Sequence, residues 1–486
     1  MTPLPGGLGV VLDRSVRLFR HGTVLVGGHP GRMITLSGDG AATLSALLAQ
    51  GTTTEAAGRL GRRLVDAGMA HPRPARPEGL AAGRDDPGRV TVVVPVHNRI
   101  DDLQRCLDSL GPELPVLVVD DDSDDPAAVA RVCRRPNVRL IRREVNGGPG
   151  AARNEALGWA DSELVAFVDS DCQVTDGWLE ELLWWFDDPL VAAVAPRIRP
   201  DPATAGSSAR ARYTDARSAL DMGAEPSQVG PEAVVRYLPA AALVARRVAV
   251  ASGFDAGLRV GEDVDLVWRL VEQGWRVRYD PTATVLHREP GSWPALMGRR
   301  FRYGTSAAEL SRRHPGQVPP LELRPWPTVA AVALLSGRWC TAALVVATSA
   351  ARTARKVRPR GVPLTLTARW SIEGTAWTVV GMGHAATMLA GPVVAVALLR
   401  RRGRARATAA ALLVVPPLVD WWRRRPPLDP VRWSLASVID DASYGAGVWV
   451  GCFRARSFGP LIPTVRSTES SGTFVPDATP GATESV

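Results

Sequence analysis

Between Val90 and Val194, apolar runs of strand length alternate with amphipathic stretches, and this alternation constrains the fold more than any other feature of the chain. The runs are VTVVVP around residue 91, VLVV at 116, VRLI at 138, LVAFV at 164 and VAAVA at 191. Strands covered on both faces read as unbroken apolar runs, and intervening helices carry the chain back to start the next parallel strand. The pattern therefore predicts a doubly wound α/β sheet.

At 486 residues the chain exceeds what one core usually organises, so more than one domain is expected. Residues 1–75 hold two strand-like stretches, LFRHGTVLVGG and RMITLS, then helix-like pieces from Asp39 to Gln50 and from Thr53 to Gly68, and predict a small α+β domain. Residues 76–89, rich in Pro and Gly, read as a linker. The α/β pattern opens a stretch covering 90–325, and residues 326–465 are dominated by Ala, Val and Leu. Residues 466–486 have little to bury and predict a disordered tail. Five cysteines without a Cys-x-x-Cys pair read as small buried side chains in a reducing compartment. The net charge of +9 suits an anionic partner, and nucleic acid, a membrane surface or a phosphate-bearing substrate would each satisfy it.

In an open α/β sheet, ligands bind beyond the carboxyl ends of the strands. Three runs end there in polar groups: Pro95 to Arg99, Asp120 to Ser123, and Asp169 to Asp171. Acidic side chains converging on one crevice repel one another unless a cation or hydrogen-bond donors stand among them, and a divalent ion is the economical solution. Mg2+ or Mn2+ takes one or two carboxylates and completes its shell with phosphate oxygens and water. The spacing of Asp169 and Asp171 lets one carboxylate reach such an ion while the other accepts a ribose hydroxyl. A turn followed by a helix N-cap also favours Asp at these positions. Residues 146–157, NGGPGAARNEAL, have glycines that permit close backbone approach and a helix start that offers N–H groups to an anion. The loop lacks the G-x-x-x-x-G-K-[ST] of a P-loop, and no G-x-G-x-x-G follows the first strand.

In this order, VTVVVPVHNR, VVDDDS, GGPGAARNEAL and FVDSD resemble the signature of family 2 glycosyltransferases of the GT-A fold. The resemblance extends to about residue 305 through GFDAGLRVGEDVDLVWRLVEQGWRVRYDPTATVLHREPGSW. It implies transfer of a sugar from a nucleotide-sugar donor, with inversion at the anomeric carbon and Mn2+ or Mg2+ as cofactor. It also implies that Pro95, His97, Asn98, Asp120 and Asp121 line the base and ribose, that Arg153 lies near the nucleotide, that Asp169 faces the ribose, and that Asp171 holds the metal. VVDDDS departs from the usual VVDDGS at Asp122, which leaves open which of the three aspartates makes the contact. Inversion needs a carboxylate that takes the acceptor proton opposite the leaving diphosphate. The resemblance assigns this to Asp263, with Glu262 beside it the more structural of the pair. Both fall at the start of the helix predicted by VDLVWRL, where the dipole favours each ionised carboxylate by about 0.3–1 kcal/mol. His287 matches a position where relatives place a further metal or phosphate ligand. Residues 299–306, RRFRYGTS, read either as diphosphate arginines or as a basic helix face.

Residues 1–75 are similar to small domains that hold an extended precursor peptide against a strand edge beside a helix. Together with a hydrophobic C-terminal region ending in IDDASYGAGVWVGC, they make the chain resemble the mycofactocin-associated branch of the family. That resemblance implies UDP-glucose as donor, a peptide-derived redox cofactor as acceptor, and a precursor peptide at the N-terminal domain; no nucleic-acid partner is expected. Residues 377–399 match the ~20 apolar residues that a spanning helix needs. The run TVAAVALLSGRWCTAALVVATSA carries Arg338 at its centre, costing roughly 2.5–3.5 kcal/mol on insertion, and ATAAALLVVPPLVDWW is short and contains Pro416 and Pro417. Basic clusters at 352–360 and 400–406 flank the first run on both sides and give no orientation. The expectation is an enzyme at the cytoplasmic face of the cell membrane, its helices seated in or dipping into that leaflet. Two alternatives are a membrane-associated transferase of cell-wall polysaccharide or glycolipid synthesis, and a non-catalytic peptide-binding scaffold; the intact Asp171 and Asp263 argue against the latter.

Overall fold

A computed structural model describes residues 2–74, 87–206, 208–400 and 402–466. The chain forms two compact units, one from residues 2–74 with 294–466 and the other from residues 87–293. Most of the expected linker at 76–89, and the expected tail from residue 467 onward, lie outside the described residues.

The first unit opens with β1 (Leu8–Leu12), β2 (Arg17–Phe19), β3 (Val24–Gly27), β4 (Arg32–Thr35), α1 (Gly38–Gln50), α2 (Glu55–Asp66) and β5 (Ala70–Pro74). Strands β2, β3 and β4 form an antiparallel sheet, and β1 pairs antiparallel with β5. Both helices start at side-chain caps, Ser37 accepting from the Gly40 amide and Thr54 from the Ala57 amide.

The second unit runs through β6 (Val90–Val96), α3 (Ile100–Leu110), β7 (Val116–Asp121), α4 (Pro126–Val132), β8 (Val138–Arg143), α5 (Pro149–Leu157), β9 (Leu164–Val168), β10 (Cys172–Val174), α6 (Glu180–Leu183) and β11 (Val191–Pro200). It continues through α7 (Pro202–Ala205), α8 (Ala209–Ala216), β12 (Ser227–Val229), β13 (Ala242–Arg246), α9 (Glu262–Glu272) and β14 (Arg276–His287). The strands form one sheet in the order β10-β14-β11-β13-β9-β6-β7-β8, with β12 also on β14. All five apolar runs are strands of this sheet, and β6, β7 and β9 are buried along their whole length. The sheet is mixed rather than wholly parallel. The chain leaves β11 on the side of the carboxyl ends and returns there at Ala242, opposite Val168 at the end of β9, so β13 has to run antiparallel to both neighbours. Strand β6 has β7 on one side and β9 on the other, both parallel to it, so the connections diverge at its carboxyl end and open a crevice there.

The first unit resumes with α10 (Trp293–Thr305), α11 (Ala307–Arg313), β15 (Glu322–Leu323), α12 (Pro325–Leu335), α13 (Trp339–Val357), α14 (Leu364–Arg400), α15 (Arg404–Arg424), α16 (Pro430–Ala455) and β16 (Thr464–Val465). The apolar run centred on Arg338 is two helices, not one. Gly337 takes φ +72°, its N–H donates to the Leu334 carbonyl and that of Arg338 to the Ala333 carbonyl, a Schellman stop that moves Arg338 to the N-cap of α13. Among the described residues α14 is the one helix long and apolar enough to cross a bilayer, with mean hydropathy 1.7 over its best window. It kinks at Ala390, two residues before Pro392. Helix α16 approaches its neighbours through glycines: a Cβ on Gly445 would lie 1.7 Å from the Met388 carbonyl oxygen, and one on Gly447 2.0 Å from that of Phe301. Buried Arg300 donates from Nε to Asp440 at 2.5 Å, and buried His384 meets Asp441 at 2.8 Å. Val24 and Val26 of β3 share a core with Val357 of α13, Trp370 of α14 and Val362 of the turn between these helices. Four cysteines are buried as expected, but Cys340 is exposed in the first turn of α13.

Candidate active site

The carboxyl ends of β6, β7 and β9 carry the polar groups picked out above, and the two turns after β6 and β7 are tied to each other. Asn98 sits at φ +60°, its N–H donating to Ser123 Oγ at 2.9 Å and its Oδ1 accepting from the Asp124 amide at 2.7 Å. His97 Nδ1 lies 3.0 Å from the Asp121 carbonyl oxygen. Pro95 remains within β6, in register with Val119. Asp122 occupies φ +65°, the left-handed region in which glycine is at ease. That conformation accounts for the usual glycine at this position of the motif, and here Arg142 Nη2 holds the Asp122 carboxylate at 3.0 Å.

Counter-charge at these strand ends is supplied by arginines of the chain itself. Arg142 Nη1 donates to buried Asp120 at 2.5 Å, and Arg143 Nη1 to Asp121 at 2.8 Å, both reaching from the end of β8. Arg153 on α5 donates to Asp169 at 2.6 Å and to Glu262 at 2.9 Å, and Arg99 reaches Asp171 at 2.5 Å. These guanidinium groups are hydrogen-bond donors of the kind that make an acidic cluster tolerable. The Gly-rich loop differs from expectation. Its Gly147 and Gly148 amides do bind an anion, at 3.0 and 2.7 Å, but that anion is the Asp121 carboxylate.

Glu262 and Asp263 open α9 behind Gly261 at φ +82°. Asp263 is half-buried, its Oδ1 accepting from the Val264 amide at 2.8 Å and its Oδ2 from the Ala240 amide at 3.2 Å. The dipole argument alone predicts low pKa values here, yet burial outweighs it. Glu262 is pushed up to about 7 by desolvation and by Asp263, against the pull of Arg153. Asp263 is raised as well, mainly by desolvation. Asp169 moves in the same direction, its burial and the nearby Asp171 exceeding the effect of Arg153. Asn154 fixes the loop before α9 by a reciprocal pair of bonds with the backbone N–H and carbonyl of Phe254, both 2.7 Å.

A second corner forms where β10 pairs with β14 and sets Cys172 opposite His287. His287 Nε2 lies 3.5 Å from Asp171 Oδ2, and His287 Nδ1 lies 3.6 Å from Glu289 Oε1, which accepts from Ser218 Oγ at 2.7 Å. Burial alone would lower the imidazole pKa, but Asp171 and Glu289 raise it to about 9. A carboxylate oxygen and the nitrogen of a deprotonated imidazole side by side are a donor set that Mn2+ accepts, so an ion here would have to displace the proton that the two carboxylates favour on the ring. Among the described residues no group of three or more His, Cys, Asp and Glu side chains could hold a metal unaided, so an ion here would complete its shell from phosphate and water. In the RRFRYGTS segment, Arg300 is already committed to Asp440. Arg99, Arg142, Arg143 and Glu289 are the charged groups that sequence reasoning left without a role. For the β8 pair the available signal was the arginine doublet ending an edge strand.

The model of the Glycosyl transferase family 2 matches residues 91–245, the stretch holding β6 to β13. The pre-mycofactocin glycosyltransferase of Mycobacterium tuberculosis, in strains CDC 1551 and H37Rv, is 37% identical over 491 residues, covering 96% of this chain and 99% of that protein. The poly(ribitol-phosphate) beta-glucosyltransferase of Bacillus spizizenii is 37% identical over 109 residues, 20% of this chain and 17% of that protein. Among solved structures, the mannosyltransferase PcManGT from Pyrobaculum calidifontis in complex with GDP-Man and Mn2+ is 21% identical, covers 68% of this chain and 86% of its own, and has a TM-score of 0.37. With identity maintained through 96% of its length and the acidic motifs gathered at the strand ends of a mixed α/β sheet, the chain belongs to glycosyltransferase family 2.

Proposed function

We propose that the chain transfers glucose from UDP-glucose, with inversion, onto a peptide-derived mycofactocin acceptor. The observation that carries this reading is the near full-length likeness to the pre-mycofactocin glycosyltransferase, at 37% identity over 96% of the chain. In this reading His97, Asn98 and the Asp120–Asp122 cluster receive the base and ribose at the crevice beside β6, and Asp169 faces the ribose. Asp171 and His287 would hold Mn2+ or Mg2+, which when bound neutralises the charge that grows on the departing diphosphate. Asp263 takes the proton from the acceptor hydroxyl. Two backbone N–H donors fix its orientation, and its raised pKa makes it a stronger base at neutral pH than an exposed aspartate. Arg153 holds Asp169 and Glu262 to one guanidinium and so keeps the donor side in register with the base.

The remaining parts take supporting roles. In the β2–β3–β4 sheet of the N-terminal residues, β2 and β4 lie at the edges, where an extended precursor peptide could add as a strand. Helices α12 to α16 carry exposed Val332, Trp339, Leu344, Val393, Leu399 and Trp422, an apolar surface suited to the cytoplasmic leaflet. The test is to incubate purified protein and Mn2+ with a panel of nucleotide sugars and with extracts containing mycofactocin precursors, then to read acceptor masses. Addition of hexose to the peptide-derived acceptor, dependent on UDP-glucose, is the expected result. Hexose transfer only to a lipid or polyol-phosphate acceptor would favour the cell-wall alternative, and no transfer with any donor would favour the scaffold.

A further inference from the structure

The arginines that balance the strand-end carboxylates differ in how firmly they are held. The Arg153 side chain is 3% exposed and bonds two carboxylates, and Arg142, 36% exposed, bridges Asp120 and Asp122. Arg99 is 52% exposed and reaches Asp171 through Nη1 alone, at 2.5 Å. Its other acidic neighbour is Asp102 in the first turn of α3, 3.8 Å from the same nitrogen. Asp102 does not drift: Arg105 bonds it, Arg288 Nη1 donates to it at 2.8 Å, and the Arg288 amide donates to the Asp171 carbonyl at 3.0 Å. Asp102 thus tethers Arg99 within reach of Asp171 while leaving it free on the solvent side.

A guanidinium on a carboxylate occupies oxygen lone pairs that a divalent ion needs, and its positive charge opposes a second cation there. A diphosphate, by contrast, offers the guanidinium a stronger anion than a single carboxylate. We propose that Arg99 is an exchangeable counter-cation of Asp171: it neutralises this carboxylate while no donor is present, competes there with a divalent ion, and turns to the diphosphate when a nucleotide enters. Metal and nucleotide then bind cooperatively, because each favours the arrangement in which Asp171 has been released. The inference rests on the reading that Asp171 is the metal-binding carboxylate.

The test titrates Mn2+ into full-length protein without sugar donor and follows free Mn2+ by electron paramagnetic resonance, with and without UDP. A half-exposed ion pair contributes little, so Arg99→Gln is expected to tighten nucleotide-free Mn2+ binding by up to about fivefold and to shrink the enhancement that UDP produces. Arg99→Lys retains the charge and is expected to bind Mn2+ like the wild type. Melting in EDTA checks that each variant is folded, and Asp171→Asn is expected to lose Mn2+ binding. If Arg99→Gln binds Mn2+ no more tightly than the wild type, or if Arg99→Lys behaves like Arg99→Gln, the counter-cation role is refuted. If Asp171→Asn binds Mn2+ normally, the metal assignment fails instead.

Discussion

Asp263 accepts N–H bonds from the Ala240 and Val264 backbones, so in the proposed mechanism its replacement by Ala removes both the base and the acceptor of a buried amide. Asp263→Ala is expected to lower kcat by roughly 10²–10⁴-fold, the usual contribution of a positioned base, and to cost about 1–3 kcal/mol of stability through the unmet Ala240 N–H; UDP release assays check the first and calorimetry the second. Glu262 has a different signature. Its pKa rises from 4.5 in the unfolded chain to about 7 in the folded one, so between those values the folded state retains a proton that the unfolded state has lost. Through this group stability is therefore highest below about pH 4.5 and declines as pH rises towards 7. Melting profiles across this range should fall less steeply for Glu262→Gln than for the wild type. The sequence marks out both carboxylates by their place at a helix start, where the dipole favours their charge, but not the burial that raises both pKa values, because burial is a property of the packed loop and not of helix position. It likewise marks out Asp120, Asp121, Asp169 and Asp171 by their places after apolar runs. Arg142 and Arg143, the partners of Asp120 and Asp121, are not legible there, because only the pairing of β7 with β8 brings them alongside.

Strands β6, β7, β8, β9 and β11 were readable because buried parallel strands announce themselves as uninterrupted apolar runs. Strands β1 and β5 were not, since β5 contains Pro72 and Pro74 and its partner lies across the whole of α1 and α2. The N-terminal strands look like a domain of their own in sequence, yet β3 buries Val24 and Val26 against Val357 and Trp370. Val26→Ala is expected to cost about 2 kcal/mol by removing methyl groups from that shared core, read as a lowered melting temperature with donor binding retained. Deleting residues 1–75 would expose that apolar face, so peptide recognition is better tested by edge-strand substitutions. Gly445 poses the opposite problem. An added methyl would collide with the Met388 carbonyl, so Gly445→Ala is expected to destabilise the α14–α16 contact by about 1–3 kcal/mol, again seen in melting.

The chain as a whole carries a charge of +9 and exposed apolar side chains on its C-terminal helices, and the proposed membrane association would draw on both, which respond differently to salt. Sedimentation with anionic vesicles should weaken but persist in molar salt and be released by detergent; full release by salt alone would restrict the association to surface charge. The second unit interrupts the first in the linear order of the chain, with roughly 330 residues separating Val26 from Val357. During synthesis at roughly 5–20 residues per second, the apolar side of β3 therefore waits tens of seconds before its partners leave the ribosome. Over that interval β3 lacks the side chains that cover it in the folded chain, so co-expression of a holding chaperone is expected to raise the soluble yield of the full-length protein, and an unchanged yield would show that the delay is harmless.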